Sequence, residues 1–219
     1  MIRLAVFDCD GTLVDSQANI CQAMEEAFAL ARIDPPPRAA IRRTVGLSLV
    51  EIMRTLLPDA DDDLRAALVQ DYRAAFFRLR ESGAMAHEPL FEGMIDVLDR
   101  LADTGWTLGV ATGKSDRGLN HILAYHGIAH RFVTLQTADR HPSKPHPAMI
   151  EQCMADAGAE PDATVMIGDT SYDIIMAIAA GTRAVGVGWG YHDADELMAA
   201  GAQVIVDAVP DLPRYLDAA

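Results

Sequence analysis

The chain of 219 residues has no apolar run approaching the roughly 20 residues needed to cross a bilayer, although half of it is hydrophobic. A membrane-spanning helix is excluded on that ground, and a composition only 23% charged is not that of a disordered chain. Basic residues are scarce: 18 Lys and Arg face 32 Asp and Glu, for a formal charge of −14. Long-range electrostatics therefore repel nucleic acid and anionic membrane surfaces. An anionic ligand would need a local positive site to capture it. Cysteine is rare too. Cys9, Cys21 and Cys153 are odd in number and not at metal-ligand spacing, which argues against a disulfide framework or a structural zinc. The opening MIRLAVFDCD lacks the basic-then-apolar pattern of a secretory signal, so the expected location is the cytoplasm. No internal repeat and no low-complexity segment is present.

Against these absences stands a regular alternation. Short β-branched or apolar runs at residues 4–7, 107–111, 132–135, 164–167, 184–187 and 204–206 read as strands, with helical stretches between them. From residue 107 onward each gap fits a single crossover helix, the rhythm of a parallel sheet covered on both faces. The expected fold class is α/β, with a doubly wound, Rossmann-like parallel sheet. The interval before residue 107 is too long for one crossover and reads as helix throughout. Ile20, Met24, Phe28 and Ala31 recur at helical spacing, Pro35-Pro36-Pro37 breaks the chain, and further helices are expected at 38–45, 48–57 and 64–79. This predicts a helical-bundle cap at residues 16–84, inserted into a core domain made of 1–15 and 85–219. The acidic stretch Asp59, Asp61, Asp62 and Asp63 lacks the pattern of an EF-hand and reads as the negative start of the next helix.

Four motifs carry chemistry. Asp8-Cys9-Asp10-Gly11-Thr12 follows the first strand directly, placing two carboxylates at the edge where open α/β sheets bind ligands. Packing alone does not explain two acids there, because a buried charge needs a partner. Ala111-Thr112-Gly113-Lys114-Ser115 ends another strand in a hydroxyl and a glycine before a helix, a setting that favours an anion. In Ser143-Lys144-Pro145-His146-Pro147, the lysine sits at the start of a helix, where a cation opposes the dipole; it is expected to point at a negative centre instead. Finally, Gly168-Asp169-Thr170-Ser171-Tyr172-Asp173 delivers two acids one helical turn apart. Four carboxylates, a threonine, backbone donors and a lysine at one sheet edge suit Mg2+ and a phosphoryl group.

In this order the motifs resemble those of the haloacid dehalogenase superfamily of phosphohydrolases, over essentially the whole chain. The helical insert after the first motif is similar to the cap of the phosphoglycolate phosphatase subgroup. The resemblance implies that Asp8 is the nucleophile, forming an aspartyl phosphate. It implies that Asp10 is the general acid and base, which requires it to hold a proton near neutral pH. Mg2+ would be held by the Asp8 carboxylate, the Asp10 backbone carbonyl and Asp169, with Asp173 acting through water or by orienting Lys144. Thr112 and Gly113 would bind phosphoryl oxygens and Lys144 would neutralise charge. Gly11 allows a close backbone approach to the phosphate; Thr12 either joins it or caps the turn.

The superfamily's dehalogenases and phosphonate hydrolases lack an aspartate at the position of Asp10. Its mutases closest in cap type carry a histidine in the first cap helix, and residues 17–31 contain none. The implied activity is hydrolysis of a small phosphomonoester resembling phosphoglycolate. A phosphomutase or pyrophosphatase is the alternative within the superfamily, and a non-catalytic phosphoryl-binding protein the alternative outside it. Within the cap, Gly46 and Leu47 resemble part of a substrate-specificity loop. Arg42 and Arg43 either meet a substrate carboxylate or are surface arginines. Trp189-Gly190-Tyr191-His192 walls the pocket or plugs a loop, and Cys9 is expected to turn away from its acidic neighbours into packing. The expected partner is a small phosphorylated substrate, with the chain a monomer or homodimer.

Overall fold

The computed structural model describes residues 2–217. Six strands, β1 (Arg3–Phe7), β2 (Trp106–Thr112), β3 (Thr134–Thr137), β4 (Thr164–Gly168), β5 (Arg183–Val187) and β6 (Val204–Val206), form one parallel sheet in the order β3-β2-β1-β4-β5-β6. Strand order reverses at β1, which opens a crevice beyond the carboxyl ends of β1, β2 and β4. Alternation along each strand supplies both faces. Ala5 and Phe7, Leu108 and Val110, and Val165 and Ile167 pack on α5 (Met94–Asp103), α6 (Asp116–Tyr125) and α10 (Leu212–Asp217). Leu4, Val6, Ala111 and Met166 pack on α7 (Ala148–Ala157), α8 (Ser171–Ala179) and α9 (Ala194–Ala199). Burial on both sides is why these strands read as near-continuous apolar runs.

The strand expected at 132–135 lies two residues later, at Thr134–Thr137. Apolar character misled here, since Val133 is 62% exposed while the strand carries buried polar residues. Those residues are partnered: Thr134 Oγ1 and Gln136 Nε2 each donate to Asp156 at 2.7 Å, and Thr137 Oγ1 donates to Asp116 at 2.7 Å.

Between β1 and α5 the chain forms α1 (Gln17–Leu30), α2 (Arg38–Arg42), α3 (Leu49–Leu56) and α4 (Asp62–Glu81). The helical face of α1, with Ile20, Met24, Ala27 and Phe28, packs against Ile41, Ile52, Met53, Leu68 and Val69 as a separate apolar cluster. The second helix stops at Arg42, short of the expected residue 45, because the chain turns there toward Gly46, whose φ is +101°. Asp61 caps α4 by accepting from Leu64 N at 2.7 Å, with Asp62 and Asp63 in the first turn, so the acidic stretch serves this helix start. The two segments joining this unit to the sheet lie side by side. Asp15 N donates to Pro89 O at 2.9 Å, Phe91 N to Leu13 O at 3.1 Å, and the Asn19 amide bonds both the N–H and the carbonyl of Ala86, at 2.8 and 2.9 Å.

The helical unit sits closed on the sheet edge. Ser48 N donates to Ser143 Oγ at 2.8 Å, Tyr172 Oη to Arg43 O at 3.3 Å, and Arg43 pairs with Glu196. No helix among the described residues is long and apolar enough to cross a membrane. Leu98 of α5 is fully buried in the larger core cluster. Leu98→Ala is expected to lower unfolding free energy by about 2–5 kcal/mol, measured by urea denaturation.

Candidate active site

The site begins where β1 ends. The alternation that sends Phe7 and Cys9 into one apolar cluster leaves Asp8 and Asp10 to the other side. Cys9 is fully buried, and burial pushes its thiol well up. Gly11 then turns the chain at φ +85°; a Cβ there would collide with the Asp169 carboxylate and the Tyr191 ring. Thr12 Oγ1 donates to Asp169 Oδ1 at 2.8 Å, so Thr12 orients an acid. The backbone N–H of Tyr191 donates to Asp169 Oδ2 at 3.0 Å, fixing that carboxylate from both sides.

Asp173 lies in the first turn of α8, where one of its oxygens accepts from Thr170 N at 3.1 Å and Thr170 Oγ1 at 2.7 Å. Its other oxygen meets Lys144 Nζ at 2.6 Å, and the same ammonium lies 2.7 Å from Asp8 Oδ1. Lys144 is in the loop ahead of α7, whose first residue is Ala148, so it does not occupy the expected helix start. Two buried carboxylates hold it there. Burial disfavours its charge, but Asp173 and Asp8 overcome that and raise its affinity for the proton.

Asp8, Asp169 and Asp173 each bring an oxygen within 4.8 Å of the others, all buried. Three acids against one ammonium leave a buried excess of negative charge, and Asp8 Oδ2 meets no donor. Burial pushes Asp8 up to about 7, with Asp173 and Asp10 adding to the rise and Lys144 opposing it. Burial, Asp8 and Asp173 hold Asp169 well above the usual carboxylate range. An orphaned oxygen in an all-oxygen, over-negative donor set fits a hard divalent cation.

Thr112 ends β2 in full burial, and its hydroxyl accepts from Lys114 N at 3.3 Å. At Gly113 an added Cβ would collide with the carbonyl oxygens of Gly46 and Leu47, so the helical unit's loop rests directly on this turn. Asp10 Oδ1 is met by Lys114 Nζ at 2.8 Å and by the Ser16 hydroxyl. Neither Lys114 nor Ser16 was singled out from sequence. Lys114 stands inside the motif that carries Thr112 and Gly113, and its place beside them was the available signal; Ser16 gave none.

From Asp10 and Gly113 a cavity of about 440 Å³ opens between sheet edge and helices, lined in part by Gly46, Leu47, Tyr72, Phe76 and Lys114. Arg42 is not among its lining residues; it is exposed and donates to Gln17 Oε1 at 3.1 Å. Arg43 is engaged with Glu196. Trp189 Nε1 donates to Thr12 O at 3.2 Å, and Tyr191 Oη accepts from Ser16 N at 3.3 Å, so both aromatics brace the acid-bearing loops.

In Asp169→Asn the Thr12 hydroxyl can reverse and accept, so both oriented contacts survive while one buried charge is lost. The variant is expected to melt no lower than wild type in chelator. Wild type alone should then gain stability with magnesium, by about 2.7 kcal/mol at a hundred times Kd, in a thermal melt.

The sequence matches the family described as haloacid dehalogenase-like hydrolase over residues 5–187. It is 38% identical over 217 residues to "Probable phosphatase IndB" of Dickeya dadantii (strain 3937), covering 97% of this chain and 92% of that protein. It is 29% identical over 224 residues to a phosphoglycolate phosphatase of Vibrio parahaemolyticus serotype O3:K6 (strain RIMD 2210633), covering 96% and 94%. Among solved structures, a hydrolase from Pseudomonas syringae superimposes with a TM-score of 0.86 at 25% identity, covering 100% of this chain and 99% of that one. With a family match across most of its length and homologues named as phosphatases, the chain belongs to the haloacid dehalogenase-like hydrolases, enzymes acting on phosphate esters.

Proposed function

We propose that the protein is a magnesium-dependent phosphatase that hydrolyses a small, phosphoglycolate-like phosphomonoester through an aspartyl phosphate on Asp8. The observation that carries this reading is Asp8 Oδ2, buried without a donor on a carboxylate that clusters with Asp169 and Asp173 and holds Lys144 through its other oxygen. The Asp8 carboxylate, the Asp10 carbonyl and Asp169 would hold the magnesium. When bound, the ion would offset their excess charge and that of the phosphoryl group. Asp173 orients Lys144 at 2.6 Å, which keeps that cation beside the nucleophile.

In the first displacement an Asp8 oxygen forms a bond to phosphorus, the ester P–O bond breaks, and its electron pair leaves with the alkoxide oxygen. Asp10 supplies the proton to that oxygen, after exchanging its contact with Lys114 for the leaving group. In the second displacement Asp10 takes a proton from water, the water oxygen attacks phosphorus, and the bond to Asp8 breaks to release phosphate. The Thr112 hydroxyl and Gly113 N–H bind phosphoryl oxygens, and Lys144 neutralises the charge that develops on them. Residues 16–84 act as the cap on a core of 1–15 and 85–219, with the Gly46-Leu47 loop resting on Gly113 at the phosphoryl-binding turn.

Phosphate release from phosphoglycolate and related monoesters is the direct assay. Chelator is expected to abolish it and magnesium to restore it. Asp8→Asn should fall to background, and Asp10→Asn should lose about 10²–10⁴-fold in kcat. Wild-type steady-state rates in Asp8→Asn would overturn the mechanism.

A further inference from the structure

Resting on the phosphatase reading but revising its substrate, we propose that the cavity between cap and core takes a leaving group larger than glycolate: a ring-sized, planar body that keeps a second anionic group, which Arg80 and Arg117 bind. At about 440 Å³ the cavity lies within the range of roughly 300–1,000 Å³ typical of small-molecule sites, and a two-carbon leaving group would fill a minor part of it. Its reaction end is marked by Asp10 and Gly113. Tyr72 and Phe76 of α4, one helical turn apart, line the cavity too and bring their rings to 5.9 Å. Such a wall offers area to a planar group rather than to a short hydroxy acid.

The charges of the lining are arranged unequally. Lys114 is occupied by Asp10 at 2.8 Å, and Arg73 lies 4.0 Å from Asp139. Among the described residues no carboxylate lies within 4.0 Å of the Arg80 or Arg117 guanidinium, and Glu88 acts on Arg80 only from beyond that distance. The two guanidinium groups lie over the faces of Phe76 and Phe77, at 5.1 and 4.5 Å from the ring centres. Burial holds Arg80 below its ordinary value; the carboxylate of Glu88 opposes that, and the like charge of Arg117 adds to it. His121 is likewise held down, by burial and then by Arg80, Arg117 and Lys114, so these cations converge on one place.

The contrast with Arg65 is informative, because it is the other partly buried arginine of the cap. Arg65 meets Asp62 at 3.0 Å and the carbonyls of Leu57 and Pro58 at 2.9 and 2.6 Å. Arg80 of α4, half-buried, and Arg117 of α6, exposed, both line the cavity, and among the described residues neither has a carboxylate at ion-pair distance. An anionic group on the leaving group supplies the missing partner, and a planar guanidinium favours a carboxylate or a phosphate.

The test compares matched substrates in magnesium: phenyl phosphate, 4-carboxyphenyl phosphate, 1,4-phenylene bisphosphate and phosphoglycolate. Wild type should prefer the carboxylated or the bisphosphorylated ring over phenyl phosphate and over phosphoglycolate by about tenfold or more in kcat/KM. The better of the two identifies the second anion. Arg80→Gln and Arg117→Gln should each shrink that preference, through KM. Equal rates on charged and uncharged rings, a preference unmoved in both variants, or phosphoglycolate as the best substrate would overturn the proposal. Release from none of the compounds would instead defeat the phosphatase reading. Calorimetric binding of 4-carboxyphenyl phosphate would then decide for the subsite if Arg117→Gln weakens it, and against it if wild type and variant bind alike.

Discussion

One buried ammonium organises this molecule. Lys144 joins the carboxylates of Asp8 and Asp173, all three without solvent exposure, so the loop before α7 is tied to the end of β1 and the start of α8. Breaking a buried pair of this kind costs about 3–5 kcal/mol, because the surviving charges have no water to turn to. The lysine is nevertheless outnumbered. Asp169 completes an acidic set that a single cation leaves under-neutralised; burial first, and the neighbouring carboxylates after it, raise the proton affinities of Asp8 and Asp169. A structural tie and an appetite for a divalent ion thus arise from the same side chains.

The sheet makes the arrangement possible. Side-by-side pairing of β1 with β2 and β4 brings three strand ends, separated widely in sequence, to one edge. Asp8, Thr112 and Asp169 then sit within a single crevice although no local contact dictates it. The glycines at 11 and 113 matter for room: the first lets the chain pass under Asp169, and the second lets the carbonyls of Gly46 and Leu47 descend on the turn that follows β2.

Much of this is legible in the sequence. Strand-end acids after fully apolar runs, the crossover rhythm and the helical insert are all periodic or charge-bearing signals, and the sheet and helices follow them closely. What was not legible depends on contacts between distant segments. β3 was misjudged because its buried threonines and glutamine are satisfied by Asp156 and Asp116, partners that no local pattern exposes. Lys114 could not be matched to Asp10 without knowing which way its chain leaves β2, and the arginines of the cavity come from two helices that meet only in the closed fold. Arg42, by contrast, was attractive for its position in the chain, yet it points to Gln17.

The paired connectors have a mechanical consequence. Two independent tethers would let the helical unit roll and twist in any direction. Here the outgoing and returning segments are stitched together by backbone bonds at Asp15 and Phe91 and by the two-sided grip of Asn19 on Ala86. They behave as one ribbon, stiff in its own plane and pliant across it. Any swing of the helical unit would therefore run about one axis, carrying Arg80 and the Gly46 loop together toward or away from the sheet edge.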